Sequence, residues 1–121
     1  MILTTLCFPV RGSPIDELLL GMKKRGVGAG KFNGFGGKIE GGETVETAGL
    51  RELHEECGLS ALPTQLTKAA ELIFYNGDRL DTITHVFLLD SWIGQPVETA
   101  EMRPHWFRAD AIPYERMWAD D

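Results

Sequence analysis

The sequence predicts a single α/β domain over residues 1–121. Four apolar, β-branched segments bounded by turn residues carry that expectation, together with one well-capped amphipathic helix between the second and third of them. A hydrophobic content of 43% against 25% charged residues is ordinary globular composition. A chain of 121 residues buries roughly two-thirds of its unfolded surface, so it needs neither disulfides nor a structural metal to fold.

Ile2 to Val10 mixes apolar and β-branched residues and reads as a strand. Arg11-Gly12-Ser13-Pro14 is a turn, and Glu17 to Met22 is the returning strand. Eight of the seventeen residues from Gly26 to Gly42 are glycine. Lys31, Phe32, Asn33, Phe35, Lys38 and Ile39 are interleaved with them, which is poor linker composition. The glycines are expected instead to let the backbone turn sharply and approach a ligand. Thr44 is the expected cap of a helix running to about Cys57, with Glu46 at its positive end and Gly58 as a left-handed terminator. Val45, Ala48, Gly49, Leu53 and Cys57 recur at helical spacing as its buried stripe. Ala69 to Tyr75 and Thr82 to Leu89 read as strands around an Asn76-Gly77-Asp78 turn, the second apolar enough for a central position. Arg103 to Arg108 is expected as a short strand, and Ala111 to Trp118 as a turn followed by a short helix.

The formal net charge is −6. Such a surface repels a phosphate backbone, which argues against polymeric DNA or RNA as a partner. The same repulsion meets a small polyphosphate unless a divalent cation stands between the two. Cys7 and Cys57 lack metal-ligand spacing, as expected in a reducing compartment. Met1 to Val10 has no basic leader or cleavage site, and no apolar run is long enough to cross a bilayer. A cytoplasmic monomer without membrane contact is expected, with mitochondrial or nuclear pools as the alternative in a eukaryote.

Chemistry concentrates on the helix. At 100° per residue, Glu52, Glu55 and Glu56 fall within an arc of about 100° on one face. Like charges at this spacing destabilise a helix by a few tenths of a kcal/mol per pair, so a cation is the natural compensation. Hard oxygen donors select Mg²⁺ or Mn²⁺ over zinc. Arg51 precedes the cluster and is placed to orient one carboxylate through a bidentate contact. A solvated acidic surface is the usual fate of such residues, but the surrounding letters exclude it here. Gly37, five residues, Glu43, seven residues, then Arg51-Glu52-Leu53-x-Glu55-Glu56-x-Gly58-Leu59 holds seven fixed letters. At usage frequencies of roughly 5–8% each, that arises by chance about 10⁻⁸ times per starting position.

This segment resembles the box of the Nudix superfamily without violation. The resemblance implies an α/β/α sandwich with a mixed sheet, the box forming a loop-helix-loop at the active site. It implies hydrolysis of a nucleoside diphosphate linked to another group, with Mg²⁺ (Mn²⁺ as substitute) bridging the phosphates. Glu52, Glu55 and Glu56 would be metal ligands, one of them also the base, with a backbone carbonyl of Gly36 or Gly37 added and Glu101 as a further acid. Lys23 and Lys38 are candidates to meet phosphate oxygens.

Beyond the box, Leu19 to Lys38, Glu101 to Phe107 and Met117 to Asp121 are similar to the oxidised purine nucleoside triphosphatases, the 8-oxo-dGTP diphosphatase branch of animals. That likeness implies a purine pocket of Asn33, Trp118, Asp120 and Asp121, with Phe35 and Phe74 nearby and Thr5 at its edge. Asparagine presents a donor and an acceptor to a base edge, and an indole face stacks on a base for roughly 1–3 kcal/mol. Two carboxyls forced together do not both ionise, so one donates while the other accepts, which would let one site read 8-oxoguanine and 2-hydroxyadenine. Val27 stands where the branch has an aromatic and Ala119 where it has a proline, which implies a looser pocket. The branch also continues some thirty residues further as a helix and a strand, so a C-terminally truncated domain is expected. Another Nudix substrate (ADP-ribose, NADH, a dinucleoside polyphosphate or an RNA cap) and a non-catalytic nucleotide-binding module are the rival readings.

Overall fold

The computed structural model describes residues 1–117. The expectations placed on Trp118, Ala119, Asp120 and Asp121 lie outside the described residues. Seven strands form one mixed sheet: β1 (Ile2–Arg11), β2 (Glu17–Lys23), β3 (Phe32–Asn33), β4 (Phe35–Lys38), β5 (Thr67–Asn76), β6 (Arg79–Leu89) and β7 (Met102–Arg108). Their order is β3-β2-β1-β6-β5, with β4 also paired to β1 and β7 also paired to β2. β6 is central, as its apolar run predicts: it runs parallel to β1 from Ile2↔Thr82 to Pro9↔Leu89 and antiparallel to β5.

Side chains alternate along β1, and the two faces meet different cores. Cys7 joins Leu53, Cys57, Leu59, Phe87 and Leu89 beneath the helix α1 (Val45–Cys57). Phe8 packs on the opposite face with Leu20, Phe32 and Met117. α1 starts where Thr44 caps it, its side chain accepting from Thr47 N at 3.1 Å, and stops at Gly58 with φ 81°. Ala48, Gly49, Leu53 and Cys57 are buried as the stripe predicts, and each buried side chain of leucine size contributes about 1.5–3 kcal/mol. Glu56 is buried beside them.

The structure departs from the sequence reading in two places. The glycine-rich stretch holds two short strands, β3 and β4, the latter pairing with β1 from Thr4↔Lys38 to Cys7↔Phe35. Close approach is why glycine stands there: a Cβ on Gly36 would lie 1.8 Å from the Thr5 carbonyl oxygen. The expected helix within Ala111–Trp118 is a single 3-10 turn, Tyr114–Arg116, which Pro113 precedes and Met117 ends by bridging to Phe32. Among the described residues α1 is therefore the one helical layer. No helix among them is long and apolar enough to cross a membrane.

Candidate active site

α1, β4 and the loop preceding β7 converge on a group of carboxylates. Arg51 is the hub. Its Nε and Nη2 donate to the two Glu43 oxygens at 2.8 and 3.1 Å, and Nη2 also donates to the Lys38 carbonyl at 3.1 Å. Its Nη1 donates to Glu52 Oε1 at 2.7 Å and to Glu55 Oε2 at 3.3 Å. The Arg51 hydrogen bond, helped by the Glu40 amide, holds the Glu43 carboxyl below its ordinary range. Glu52 moves the other way, because burial raises it more than Arg51 lowers it.

Glu56 is 7% exposed. Burial first, then the neighbouring charges of Glu52, Glu101 and Glu55, push its carboxyl up to about 8, against the pull of the Gly36 amide. That amide donates to Glu56 Oε1 at 2.8 Å. Gly37 leaves room on the other side, since a Cβ there would stand 2.8 Å from the Glu52 carboxyl carbon.

Two cavities meet at Glu56. One, of about 260 Å³, is lined by Lys23, Arg25, Glu56, Glu101 and Met102. The other, of about 250 Å³, is lined by Glu56 together with Leu6, Gly21, Lys23, Lys31, Asn33, Gly34, Gly36 and Met102. The Asn33 side chain is oriented by its Oδ1, which accepts from Gly34 N at 2.7 Å. Thr99 ties the Glu101 loop to the helix: its hydroxyl donates to the Glu56 carbonyl at 3.0 Å and accepts from the amides of Glu101 and Met102 at 3.3 and 3.2 Å.

These donors suit a hard divalent cation. A buried carboxyl raised by neighbouring carboxylates is relieved by positive charge, and the all-oxygen set is that of Mg²⁺ or Mn²⁺. As the side chains stand, no three acidic or ligating groups among the described residues gather tightly enough to hold an ion. Glu52 and Glu55 turn to Arg51, and Glu56 turns to the Gly36 amide.

Comparison with known proteins decides the family. A NUDIX domain matches residues 3–121. The chain belongs to the Nudix family. A zebrafish (Danio rerio) relative, an oxidized purine nucleoside triphosphate hydrolase, is 51% identical over 106 residues, 87% of this Nudix chain and 67% of that protein. The mouse (Mus musculus) protein of the same description is 47% identical over 88% of this chain and 67% of its own. The solved MutT NUDIX hydrolase of Burkholderia pseudomallei superposes with a TM-score of 0.81 at 25% identity, covering 98% of this chain and 92% of that one. The α/β mixed sheet with the box on its helix is thus the Nudix fold, and Nudix hydrolases depend in general on divalent metals.

The structure brings Glu52, Glu56, Glu101, Lys23, Asn33, Gly36 and Gly37 of this Nudix protein around one centre, with Glu55 reaching it through Arg51. Other expected residues stand apart. Phe35 is fully buried in the core beneath α1, against the face of Gly21, where a Cβ would meet its ring at 2.7 Å. Lys38 contributes its backbone carbonyl to Arg51. Thr5 is buried under α1 near Gly49, its hydroxyl without a partner among the described residues, and the neighbouring Leu6 lines the cavity. Phe74 sits half-buried on β5, opposite Thr82. Val27 is 79% exposed and lines neither cavity. Arg25, Lys31 and Thr99 were not singled out by sequence. Four cations, Lys23, Lys24, Arg25 and Lys31, within nine residues of an acidic chain were the available signal for the first two.

Proposed function

We propose that this Nudix protein hydrolyses oxidised purine nucleoside triphosphates, such as 8-oxo-dGTP and 2-hydroxy-dATP, to the monophosphate and pyrophosphate with Mg²⁺. One observation carries the reading: the buried acid Glu56 and the Asn33 amide line one cavity together with Lys23 and Lys31. A triphosphate bearing a purine combines phosphate charge for the lysines with a base edge for the amide, which suits that lining. The descriptions of the zebrafish and mouse relatives support the oxidised purine.

Glu52, Glu55 and Glu56 would hold the cation, with a carbonyl of Gly36 or Gly37 and with Glu101. When bound, the metal neutralises phosphate charge and activates water. The chain's own groups do the rest. Arg51 clamps Glu52 and Glu43, fixing the carboxylate geometry. Lys23, Arg25 and Lys31, which line the cavities, would offset phosphate charge. Asn33 offers donor and acceptor to the purine edge, in a pocket that Trp118, Asp120 and Asp121 would complete.

The test is pyrophosphate release from 8-oxo-dGTP with Mg²⁺, beside dGTP, 2-hydroxy-dATP and ADP-ribose, with Glu56→Gln as control. Preferential turnover of the oxidised purines, lost with chelator and in the variant, is expected. Preferential turnover of ADP-ribose would retain Nudix chemistry and defeat the assignment of Asn33.

A further inference from the structure

Strands β2, β3 and β7 have two faces, and the candidate active site uses only one. Lys23, Asn33 and Met102 line the cavities at Glu56. The residues alternating with them, Met22, Phe32 and Arg103, line a separate cavity of about 290 Å³ on the reverse face. Register places these three side by side, because Met22 pairs with both Phe32 and Arg103. His105 and Phe107, the next two residues of β7 on that face, extend the wall, and Arg116 closes it from the 3-10 turn.

The chemistry of this rear cavity is unlike its surroundings. Phe32 and Phe107 meet edge to face at 5.0 Å, His105 packs on Phe107 at 4.6 Å, and the Arg116 guanidinium lies 5.0 Å over the Phe32 ring. Two guanidiniums and an imidazole therefore border an aromatic wall in a chain of net charge −6. Neither Arg103 nor Arg116 is in an ion pair among the described residues. Glu98, whose carboxyl feels Arg103, is bonded instead to Lys24 at 2.5 Å, and among the described residues the side-chain hydrogen bond of Arg116 goes to the Met22 sulfur, at 4.0 Å. Guanidiniums outside ion pairs among the described residues favour bidentate anion binding, and the half-buried Phe107 ring beside the buried Phe32 offers apolar surface to a planar ring. The volume, about 290 Å³, lies just under the range of ligand pockets, which start at about 300 Å³.

We propose that the rear cavity is a second ligand site that takes a nucleoside monophosphate, its base against Phe32 and Phe107 and its phosphate between Arg103 and Arg116. A dianionic phosphate fits two guanidiniums better than a carboxylate does, because its three terminal oxygens let each take a pair with one oxygen shared. The site is independent of the hydrolytic reading, since it shares no lining residue with the cavities at Glu56.

The experiment is a ¹H–¹⁵N NMR titration of the whole chain with AMP in the presence of chelator, beside adenosine and inorganic phosphate. Amide shifts at Phe32, Arg103, His105 and Phe107 are expected, with adenosine and phosphate each binding at least about tenfold more weakly than AMP. Arg103→Gln and Arg116→Gln should each weaken AMP by about tenfold or more, with spectra otherwise unchanged, whereas Asn33→Ala should bind it like the unaltered chain. Shifts confined to Asn33 and Glu56, no shifts at millimolar AMP, or adenosine binding as tightly as AMP would overturn the proposal.

Discussion

Glu56 places a proton where the unfolded chain would not keep one. Unfolded, the carboxyl titrates near its ordinary 4.5, and folded it holds its proton to about 8. Between those values the folded state binds more protons, so the stabilisation present at low pH is lost progressively as pH rises from about 4.5 through about 8. The metal-free protein should therefore lose on the order of a few kcal/mol of stability across that window. Glu56→Gln should flatten the dependence, and parallel melting curves for the two proteins between pH 5 and 8.5 would refute the buried Glu56 carboxyl as its cause. Arg51 acts on the same group of acids by shape. Its guanidinium reaches Glu43, Glu52, Glu55 and the Lys38 carbonyl at once, which a lysine ammonium cannot do. Arg51→Lys should cost 10–100-fold in kcat/KM, roughly the cost of losing a group that orients a metal ligand, while shifting Tm by only a few degrees. A variant with unchanged kcat/KM would show that the clamp positions nothing.

The elements that hold these residues differ in how local their causes are. α1 is legible in the sequence because its cap Thr44, its apolar stripe and its terminator Gly58 all lie within its own length. The box acids ride on it, so that half of the site was legible too. β4 owes its existence to a neighbour thirty residues earlier in the chain: Gly36 lies so close to β1 that any side chain would strike the Thr5 carbonyl. Gly36→Ala should cost about 4 kcal/mol or more and leave little folded protein. Gly41→Ala, at a position with open space around it, should melt within a degree or two of the unaltered chain. Equal melting of the two variants, followed by circular dichroism, would reject the close-approach argument. The same non-local origin hid Phe35, whose place in the core depends on the bare face of Gly21 on β2. It also hid Arg25 and Lys31, which only folding brings beside Glu56.

Across the whole molecule the sheet is unevenly covered, and its stability should follow. β1 carries five buried residues, Thr5, Leu6, Cys7, Pro9 and Val10, and pairs with β2, β4 and β6. Among the described residues β5 lies at the sheet edge, every residue exposed except the half-buried Leu72 and Phe74, with β6 as its sole partner. A strand with few buried contacts opens at lower free energy than the centre of the same sheet, because fewer apolar groups meet water when it separates. Native-state hydrogen exchange should therefore find the β5 amides bonded to β6 exchanging at least about tenfold faster than the amides linking β1 to β6, a difference of about 1.4 kcal/mol in opening free energy. The candidate metal centre sits on the slow side of that division, on α1 and β4 against β1, so binding Mg²⁺ should slow α1 exchange further and leave β5 unchanged. Equal protection of β5 and β1 in the metal-free protein would mean that the sheet opens as one unit and that local burial does not set the opening of β5.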